Sequence, residues 1–135
     1  MRLTNKIEEI EKFLSELEEI SPDDFETYQT DIKTKAACER YFEKIVEALV
    51  DLAYVFIKEN ALKMPEDDKE AFDILAEAGH IPIALAIKLK EAKGMRNIIS
   101  HQYGTVDDET VFEAITHELV KDAREFIGNV RKKLI

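Results

Sequence analysis

The sequence predicts an all-α protein, an up-and-down bundle of four to five helices. The 135 residues include only four glycines and three prolines, so few positions favour the tight turns that connect strands. Apolar residues recur at steps of three and four along most of the chain, as in amphipathic helices. A single domain over residues 1–135 is expected, because one core usually organises about 100 to 150 residues.

The first predicted helix runs from Leu3 to Ile20 and carries one apolar stripe. The four residues that follow, Ser21-Pro22-Asp23-Asp24, predict its end and the start of a short second helix. In that interpretation Ser21 is the N-cap and Pro22 occupies the first helical position. The stripe consists of Ile7, Ile10, Leu14 and Leu17.

The longest periodic stretch, from about Asp31 to Glu59, predicts the central helix of the bundle. Cys38, the only cysteine, has no intrachain partner for a disulfide, so we interpret it as a small core residue of a protein from a reducing compartment. The apolar residues expected in the core are Cys38, Phe42, Ile45, Leu49, Leu52, Val55 and Phe56.

Three further helices are predicted after the central one. Pro65-Glu66-Asp67-Asp68 begins a helix for which Gly79 is placed as the terminator. Another begins near Pro82 and stops around residues 103–105. Asp107 to Thr110 begin the last helix, whose apolar residues are Val111, Ile115, Leu119, Phe126, Val130 and Leu134.

Charge and hydropathy restrict the possible partners. No N-terminal segment resembles a signal peptide, and no apolar run approaches the roughly 18 residues of a membrane span, so a cytoplasmic protein without a membrane partner is expected. The net charge of −10 opposes binding to a polyanion. Composition alone therefore argues against a nucleic-acid substrate.

Several kinds of site are not indicated by the sequence. It has no glycine-rich phosphate loop, no cysteine cluster and no histidine pair at zinc spacing on one helix. Glu113 and His117 are four residues apart and are interpreted as a surface ion pair. His80, at a helix junction, is expected to bond a backbone carbonyl through its ring. The sequence therefore predicts neither a metal site nor a bound cofactor.

The segment from Arg96 to Tyr103 concentrates the groups with catalytic potential. Arg96, Asn97, His101 and Tyr103 fall within eight residues at the end of a predicted helix. A guanidinium, an imidazole and a phenol at such a place can project into a groove. The structural alternative is that Arg96 caps helix carbonyls and that His101 and Tyr103 form a hydrogen-bonded corner.

Helical geometry separates the two main candidates. Arg96 and His101 are five residues apart, about 140° around an ideal helix, so they do not share a face. Asn97 lies four residues before His101 and can orient its ring. Arg96 can meet His101 in two ways: the helix loosens before His101, or a two-fold related subunit supplies the other half of the site.

The spacing Arg-x4-His-x-Tyr, with Asn after Arg, resembles the motif of the HEPN superfamily in its HepT-like form. The wider layout is also similar, with an N-terminal helical hairpin, a long helix containing Ala37-Cys38-Glu39-Arg40, and a late helix that ends in the motif. The resemblance covers most of the chain, from about residue 30 to the end. It implies a HEPN-like helical domain.

The resemblance also implies a function. HepT-like proteins are metal-independent endoribonuclease toxins that act on RNA as homodimers, with the motif Arg and His of both subunits in one cleft. Their antitoxin is an MNT-type nucleotidyltransferase that transfers AMP onto the motif Tyr. Carried over to this chain, Arg96 and His101 are catalytic, Asn97 is supporting and Tyr103 is the modified residue. Neither a metal, a cofactor nor DNA is implied.

The residue types suit that chemistry. A histidine has a pKa near 6.5, so His101 can act as general acid or base at neutral pH, a role worth about 10² to 10⁴ in rate. Arg96 can hold two phosphate oxygens through parallel hydrogen bonds. In a homodimer the two His101 side chains can divide the acid and base roles.

Two other functions remain open from the sequence. One is a non-catalytic helical module that binds a nucleotidyltransferase; it predicts complex formation without RNA cleavage. The other is a nucleotide-binding or sensing subunit in which Arg96 binds phosphate without cleavage. Calorimetry with mononucleotides separates this last function from the other two.

Overall fold

The computed structural model describes residues 2–101 and 107–134, and of His101 only the backbone. Over these ranges the chain is helical and forms no strand, which confirms the all-α class. The elements are α1 (Arg2–Ile20), α2 (Phe25–Thr30), α3 (Ile32–Glu59), α4 (Asp68–Glu77), α5 (Ile83–His101), α6 (Asp108–Glu113), a π-helical segment (Ala114–Glu118) and α7 (Leu119–Lys132).

Side-chain contacts show how α1 lies against its neighbours. Lys6 near the start of α1 reaches Asp51 late in α3 at 3.5 Å, and the Tyr41 hydroxyl early in α3 donates to Glu16 near the end of α1 at 3.2 Å. The two helices are therefore antiparallel. Arg124 and Arg131 of α7 pair with Glu18 and Glu11 of α1, so α1 and α7 are antiparallel as well.

Helix α5 runs antiparallel to α3 and to α4. Lys90 of α5 pairs with Asp73 at 2.8 Å, and Lys93 pairs with Asp68, five residues earlier in α4, at 3.2 Å. Its later residues contact α3 in the same reversed order, described below with the site. The predicted up-and-down arrangement is thus present, and α3 is its central helix.

The core lies between α3 and the helices around it. Every apolar residue predicted for the core of α1 and α3 is buried, including Cys38, whose pKa burial raises. Burial of each large side chain contributes roughly 1.5 to 3 kcal/mol of hydrophobic stabilisation. The largest aromatic side chains that are almost completely buried are Tyr28, Phe42, Phe56, Phe72 and Phe126.

Aspartates begin four of the helices. Asp24, Asp31, Asp67 and Asp107 each accept a hydrogen bond from a backbone N–H in the first turn of α2, α3, α4 and α6. A carboxylate there satisfies a free donor and complements the helix dipole. Prediction of Ser21 as the second helix's N-cap is wrong, because its N–H and hydroxyl both donate to the Leu17 carbonyl at the end of α1.

Gly79 ends the fourth helix as predicted. Its φ of +79° is readily adopted only by glycine, and it lets the His80 N–H bond the Leu75 carbonyl at 2.9 Å. The chain then turns through Pro82 into α5. The predicted stop of this helix near residues 103–105 lies outside the described residues.

The last helical run departs from the prediction in two respects. Helix α7 ends at Lys132, so Leu134 lies beyond it and is exposed. A π-helical segment, Ala114–Glu118, separates α6 from α7, where the sequence predicts one regular helix. A π-helical turn widens the backbone by one residue and shifts the face that follows it. No helix among residues 2–101 and 107–134 combines the length and the apolar character that crossing a bilayer requires.

Candidate functional site

The second half of α5 is packed less completely than its first half. Its first half contributes Leu85, Ala86 and Leu89 to the core. From Ala92 to Ser100 every residue is partly exposed and none is buried, although the sequence there includes Met95, Ile98 and Ile99. The motif therefore lies on a helix that offers several partly accessible faces.

Arg96 points from α5 toward α3. Its Nη2 donates to Oε1 of Glu47. The Arg96 side chain is 19% exposed while that of Glu47 is 49% exposed, so the guanidinium lies deeper than the carboxylate that holds it. The Nε of Arg96 is buried and has no hydrogen-bond partner among the described residues.

A second contact repeats this arrangement one turn further along. The Ser100 hydroxyl donates to Oε2 of Glu43 at 2.8 Å. Arg96 and Ser100 are four residues apart on α5, and Glu47 and Glu43 are four residues apart on α3. Because the helices are antiparallel, the two contacts lie side by side along α3 and α5.

Two other cations of α5 that precede the motif, Lys90 and Lys93, are also paired with carboxylates. Asp68 of α4 binds Lys93 and also accepts a hydrogen bond from the Tyr54 hydroxyl at 3.1 Å. The pKa of Tyr54 is raised, mainly by partial burial and to a smaller extent by this hydrogen bond. Lys90 is bound to Asp73, so carboxylates neutralise both of these lysines.

Two shallow grooves lie on either side of Lys93 and Asp68. The groove of about 410 Å³, which we call the Arg96 groove, contains Arg96, Glu47, Val50, Asp51 and Tyr54 beside that pair. The other groove, of about 470 Å³, contains Asn97 together with Asp67 and Lys69. Arg96 and Asn97 therefore lie in adjoining grooves.

The backbone decides between the two geometries open to Arg96 and His101. Helix α5 is continuous from Ile83 to His101, so it does not loosen before His101. The first of the two routes by which these residues can meet is therefore wrong. The His101 side chain and the whole of Tyr103 lie outside the described residues, so the orientation of the His101 ring by Asn97 stays a prediction.

The other two histidines are structural. His117 Nδ1 lies 3.2 Å from Oε2 of Glu113 at an exposed position, which confirms the predicted surface pair. The His80 ring packs edge-on against Phe56, and its buried Nδ1 has no partner among residues 2–101 and 107–134, so this nitrogen does not make the expected bond to a carbonyl there. Among the described residues no group of three or more His, Cys, Asp or Glu side chains is arranged to hold a metal.

Glu43 and Glu47 were not predicted as site residues. In the sequence they belong to a helix with many surface acids, and nothing local distinguishes them. The available signal is their spacing of four residues, which matches the spacing of Arg96 and Ser100. That match becomes informative only when the register of α3 against α5 is known.

Comparisons with known proteins give a consistent result. The family model described as Ribonuclease HepT-like matches residues 5–130. The mRNA nuclease HepT of Shewanella oneidensis is 24% identical over 129 residues, which cover 96% of each chain. A protein of Archaeoglobus fulgidus with RNase in its name is 30% identical over 115 residues, covering 85% of this chain and 83% of that one.

Solved structures share the fold. A tri-AMPylated Shewanella oneidensis HEPN toxin in complex with an MNT antitoxin superposes with a TM-score of 0.89 at 24% identity, covering 96% of both chains. A toxin–antitoxin structure with AMP-PNP gives 0.87 at 23% identity, over 96% of this chain and 97% of that one. The cytosolic protein YutE of Bacillus subtilis, of unknown function, superposes with a TM-score of 0.80 at 16% identity, over 98% of this chain and 88% of that one.

Proposed function

The chain belongs to the Ribonuclease HepT-like family, and from this premise we propose that it is a metal-independent endoribonuclease toxin whose partner is an MNT-type nucleotidyltransferase antitoxin. Arg96 holds the scissile phosphate and His101 transfers protons. Asn97 supports His101, and Tyr103 accepts AMP from the partner. The protein acts as a homodimer and needs no cofactor.

The observation that carries the proposal is the environment of Arg96. Its guanidinium is held in a groove and its Nη2 meets a carboxylate oxygen of Glu47. Carboxylate and phosphate oxygens accept the same paired hydrogen bonds from a guanidinium. Glu47 therefore marks the position in which an RNA phosphate would be bound.

The proposed cleavage uses only groups of the protein and the RNA. A general base removes the proton of the ribose 2′-hydroxyl, the 2′-oxygen bonds to phosphorus, and the bond from phosphorus to the 5′-oxygen breaks. A general acid protonates that leaving oxygen, which yields a 2′,3′-cyclic phosphate and a 5′-hydroxyl. Arg96 stabilises the charge that develops on the phosphate oxygens, and His101 supplies the base and acid.

A second subunit completes this site in the proposal. Arg96 and His101 lie about 140° apart around α5, which is helical through both residues. One subunit therefore presents them in different directions, and a two-fold axis can bring Arg96 of one subunit beside His101 of the other. The partly exposed Ile98 and Ile99 give the second half of α5 apolar surface for such a contact.

Arg96 must leave Glu47 before it binds RNA. Glu47 is half exposed, and exposed ion pairs are worth roughly 0.2 to 1 kcal/mol. A phosphate diester can displace a contact of that strength. The net charge of −10 still opposes RNA, so affinity should be weak and should fall as salt increases.

Transfer of AMP onto Tyr103 would stop cleavage. In that step the Tyr103 phenol oxygen attacks the α-phosphorus of ATP, pyrophosphate leaves, and the phenol proton is lost. The product places bulk and negative charge two residues from His101, where it opposes a second phosphate. Intact-mass measurement after co-expression with the antitoxin tests this step, and it is wrong if no AMP adduct forms.

The central experiment compares four proteins incubated with total RNA in EDTA: wild type, His101→Ala, Arg96→Ala and the matched control His117→Ala. We expect cleavage by wild type and His117→Ala only, and fragments that begin with a 5′-hydroxyl. Circular dichroism checks that each variant is folded. Cleavage that survives His101→Ala would contradict the proposal.

One observation favours a second function. Lys90, Lys93 and Arg96 are all paired with carboxylates, which suits a non-catalytic module that binds a nucleotidyltransferase. In that case no protein of the series cleaves RNA, and wild type and His101→Ala bind the partner equally. Intact mass must first exclude prior modification of Tyr103.

A further inference from the structure

A small cavity lies on a different side of α5 from the groove that contains Asn97. Lys88, which borders it, and Asn97 are nine residues apart, about 180° around an ideal helix. Its volume is about 180 Å³, and its walls come from α3, α5, α6, the π-helical segment and α7. The lining residues that matter here are Phe42, Met95, Leu119, Glu118 and Asp122.

Asp122 is the unusual member of this lining. It is 6% exposed and is the only buried charged residue in the described part of the chain. Its carboxylate forms no hydrogen bond and no ion pair with any described residue, and it borders the cavity, where its oxygens keep some solvent access. A buried carboxylate is normally paired, because the loss of hydration is otherwise uncompensated.

Lys88 only partly compensates that charge. Burial raises the pKa of Asp122, and the nearby Lys88 lowers it by a smaller amount. Glu91 and Glu118 add two exposed carboxylates to the lining. Three acidic side chains thus surround the cavity against one basic side chain, which favours a cationic occupant.

Size and lining restrict the kind of cation. The cavity would hold about six water molecules at roughly 30 Å³ each, which is too little for a nucleotide. The described residues contain no group of three or more His, Cys, Asp or Glu side chains that could hold a metal ion, so these carboxylates do not form a metal site. Phe42, Met95 and Leu119 provide apolar walls suited to a short hydrocarbon chain.

We propose that this cavity binds a small alkylamine, with its ammonium group on Asp122 and its alkyl chain against Phe42 and Leu119. The π-helical segment forms part of the wall, and such segments occur frequently at functional sites. The site does not depend on the ribonuclease proposal, because it uses neither Arg96 nor any other residue assigned to RNA cleavage.

The test is an NMR titration of the full chain with n-butylammonium chloride, and with n-butanol as the neutral molecule of the same shape. We expect saturable shift changes confined to amides around the cavity, with a dissociation constant on the order of millimolar, and no saturable change with n-butanol. Asp122→Asn should weaken binding by at least about tenfold, because it removes a charge-assisted hydrogen bond.

Two further variants make the result decisive. Asp23→Asn removes an exposed carboxylate elsewhere and should leave binding unchanged. Ala92→Met narrows the cavity without altering charge and should weaken binding as Asp122→Asn does. Equal binding by wild type and Asp122→Asn, diffuse shifts over the acidic surface, or no saturable change would each overturn the proposal.

Discussion

Helix α1 and the second half of α5 show two uses of apolar sequence. In α1 the residues Leu3, Ile7, Ile10, Leu14 and Leu17 are all 2% exposed or less, on a single face. From Ala92 to Ser100 of α5 apolar and polar residues are all partly exposed. The stripe of α1 is satisfied within one chain, whereas α5 leaves apolar area and polar groups accessible together.

That difference separates stability from function. A side chain that is completely buried contributes its full transfer free energy and fixes a helix in the bundle. A partly exposed one contributes less to the fold but can meet a substrate or another subunit. Substitutions in the two helices should therefore affect different measurements.

The largest expected effect is on folding. Leu14→Ala in α1 should lower the free energy of unfolding by about 2 to 5 kcal/mol, through lost burial and a residual cavity. Ile98→Ala in α5 should cost at most about half as much, because its side chain is only partly buried. Urea unfolding at one fixed protein concentration measures both. Equal losses would remove the contrast between the helices.

The next effect is on catalysis. Arg96→Lys should slow RNA cleavage by about 10- to 100-fold, because an ammonium cannot reproduce the paired hydrogen bonds of a guanidinium to phosphate. Arg131→Lys is the control, since it changes an arginine that pairs with Glu11 on the α1–α7 side. Unchanged cleavage by Arg96→Lys would show that the guanidinium geometry is not used.

A smaller effect is expected from the residue that holds Arg96. In the His101→Ala background, where the proposed function leaves RNA bound but uncut, Glu47→Gln should tighten RNA binding by about two- to fivefold, which is the strength of an exposed ion pair. Fluorescence anisotropy with a labelled single-stranded RNA measures the affinity.

Glu11→Gln is the matched control for that measurement. It removes one negative charge and frees Arg131, which lies away from the motif. If both variants tighten binding equally, the effect is one of net charge alone. If Glu47→Gln weakens binding, Glu47 positions Arg96 for RNA and does not compete with it.

Most of the fold was predictable because its determinants are local. The apolar stripes of α1 and α3, the boundaries of α3 and the terminator Gly79 depend on spacing of three and four residues and on one backbone preference. The sequence did not predict that Asp24 and not Ser21 caps α2, since both residues are good N-caps. The π-helical segment was also missed, because apolar spacing of three and four residues does not encode the extra residue of a π-helical turn.

The site was predictable only in part. Arg96 and Asn97 are recognised from a motif within eight residues, and both border grooves. Glu43 and Glu47, about fifty residues away in sequence, depend on the register of α3 against α5. In the sequence, nothing distinguishes Asp122 from the many surface acids, and only the packing of the helices shows that it is buried.

The smallest predicted effect concerns Asp122 and the pH dependence of stability. Because burial raises its pKa in the folded state, the folded protein binds a proton more tightly than the unfolded chain does. The contribution of Asp122 is therefore most favourable below its unfolded pKa. It declines as pH rises through the unfolded pKa to the folded one. Lys88, Lys121, Glu118 and Glu125 modulate this titration and are retained in the variant.

Asp122→Asn should accordingly raise the free energy of unfolding at pH 7 by up to about 1 kcal/mol, since it replaces a buried charge that nearby lysines only partly compensate with a neutral amide. The gain should shrink toward pH 4. Asp23→Asn, at an exposed position, should show neither change. Urea unfolding of the three proteins across this pH range measures the difference. A loss of stability at pH 7 would mean that Lys88 and Lys121 compensate the Asp122 carboxylate fully, and it would contradict this prediction.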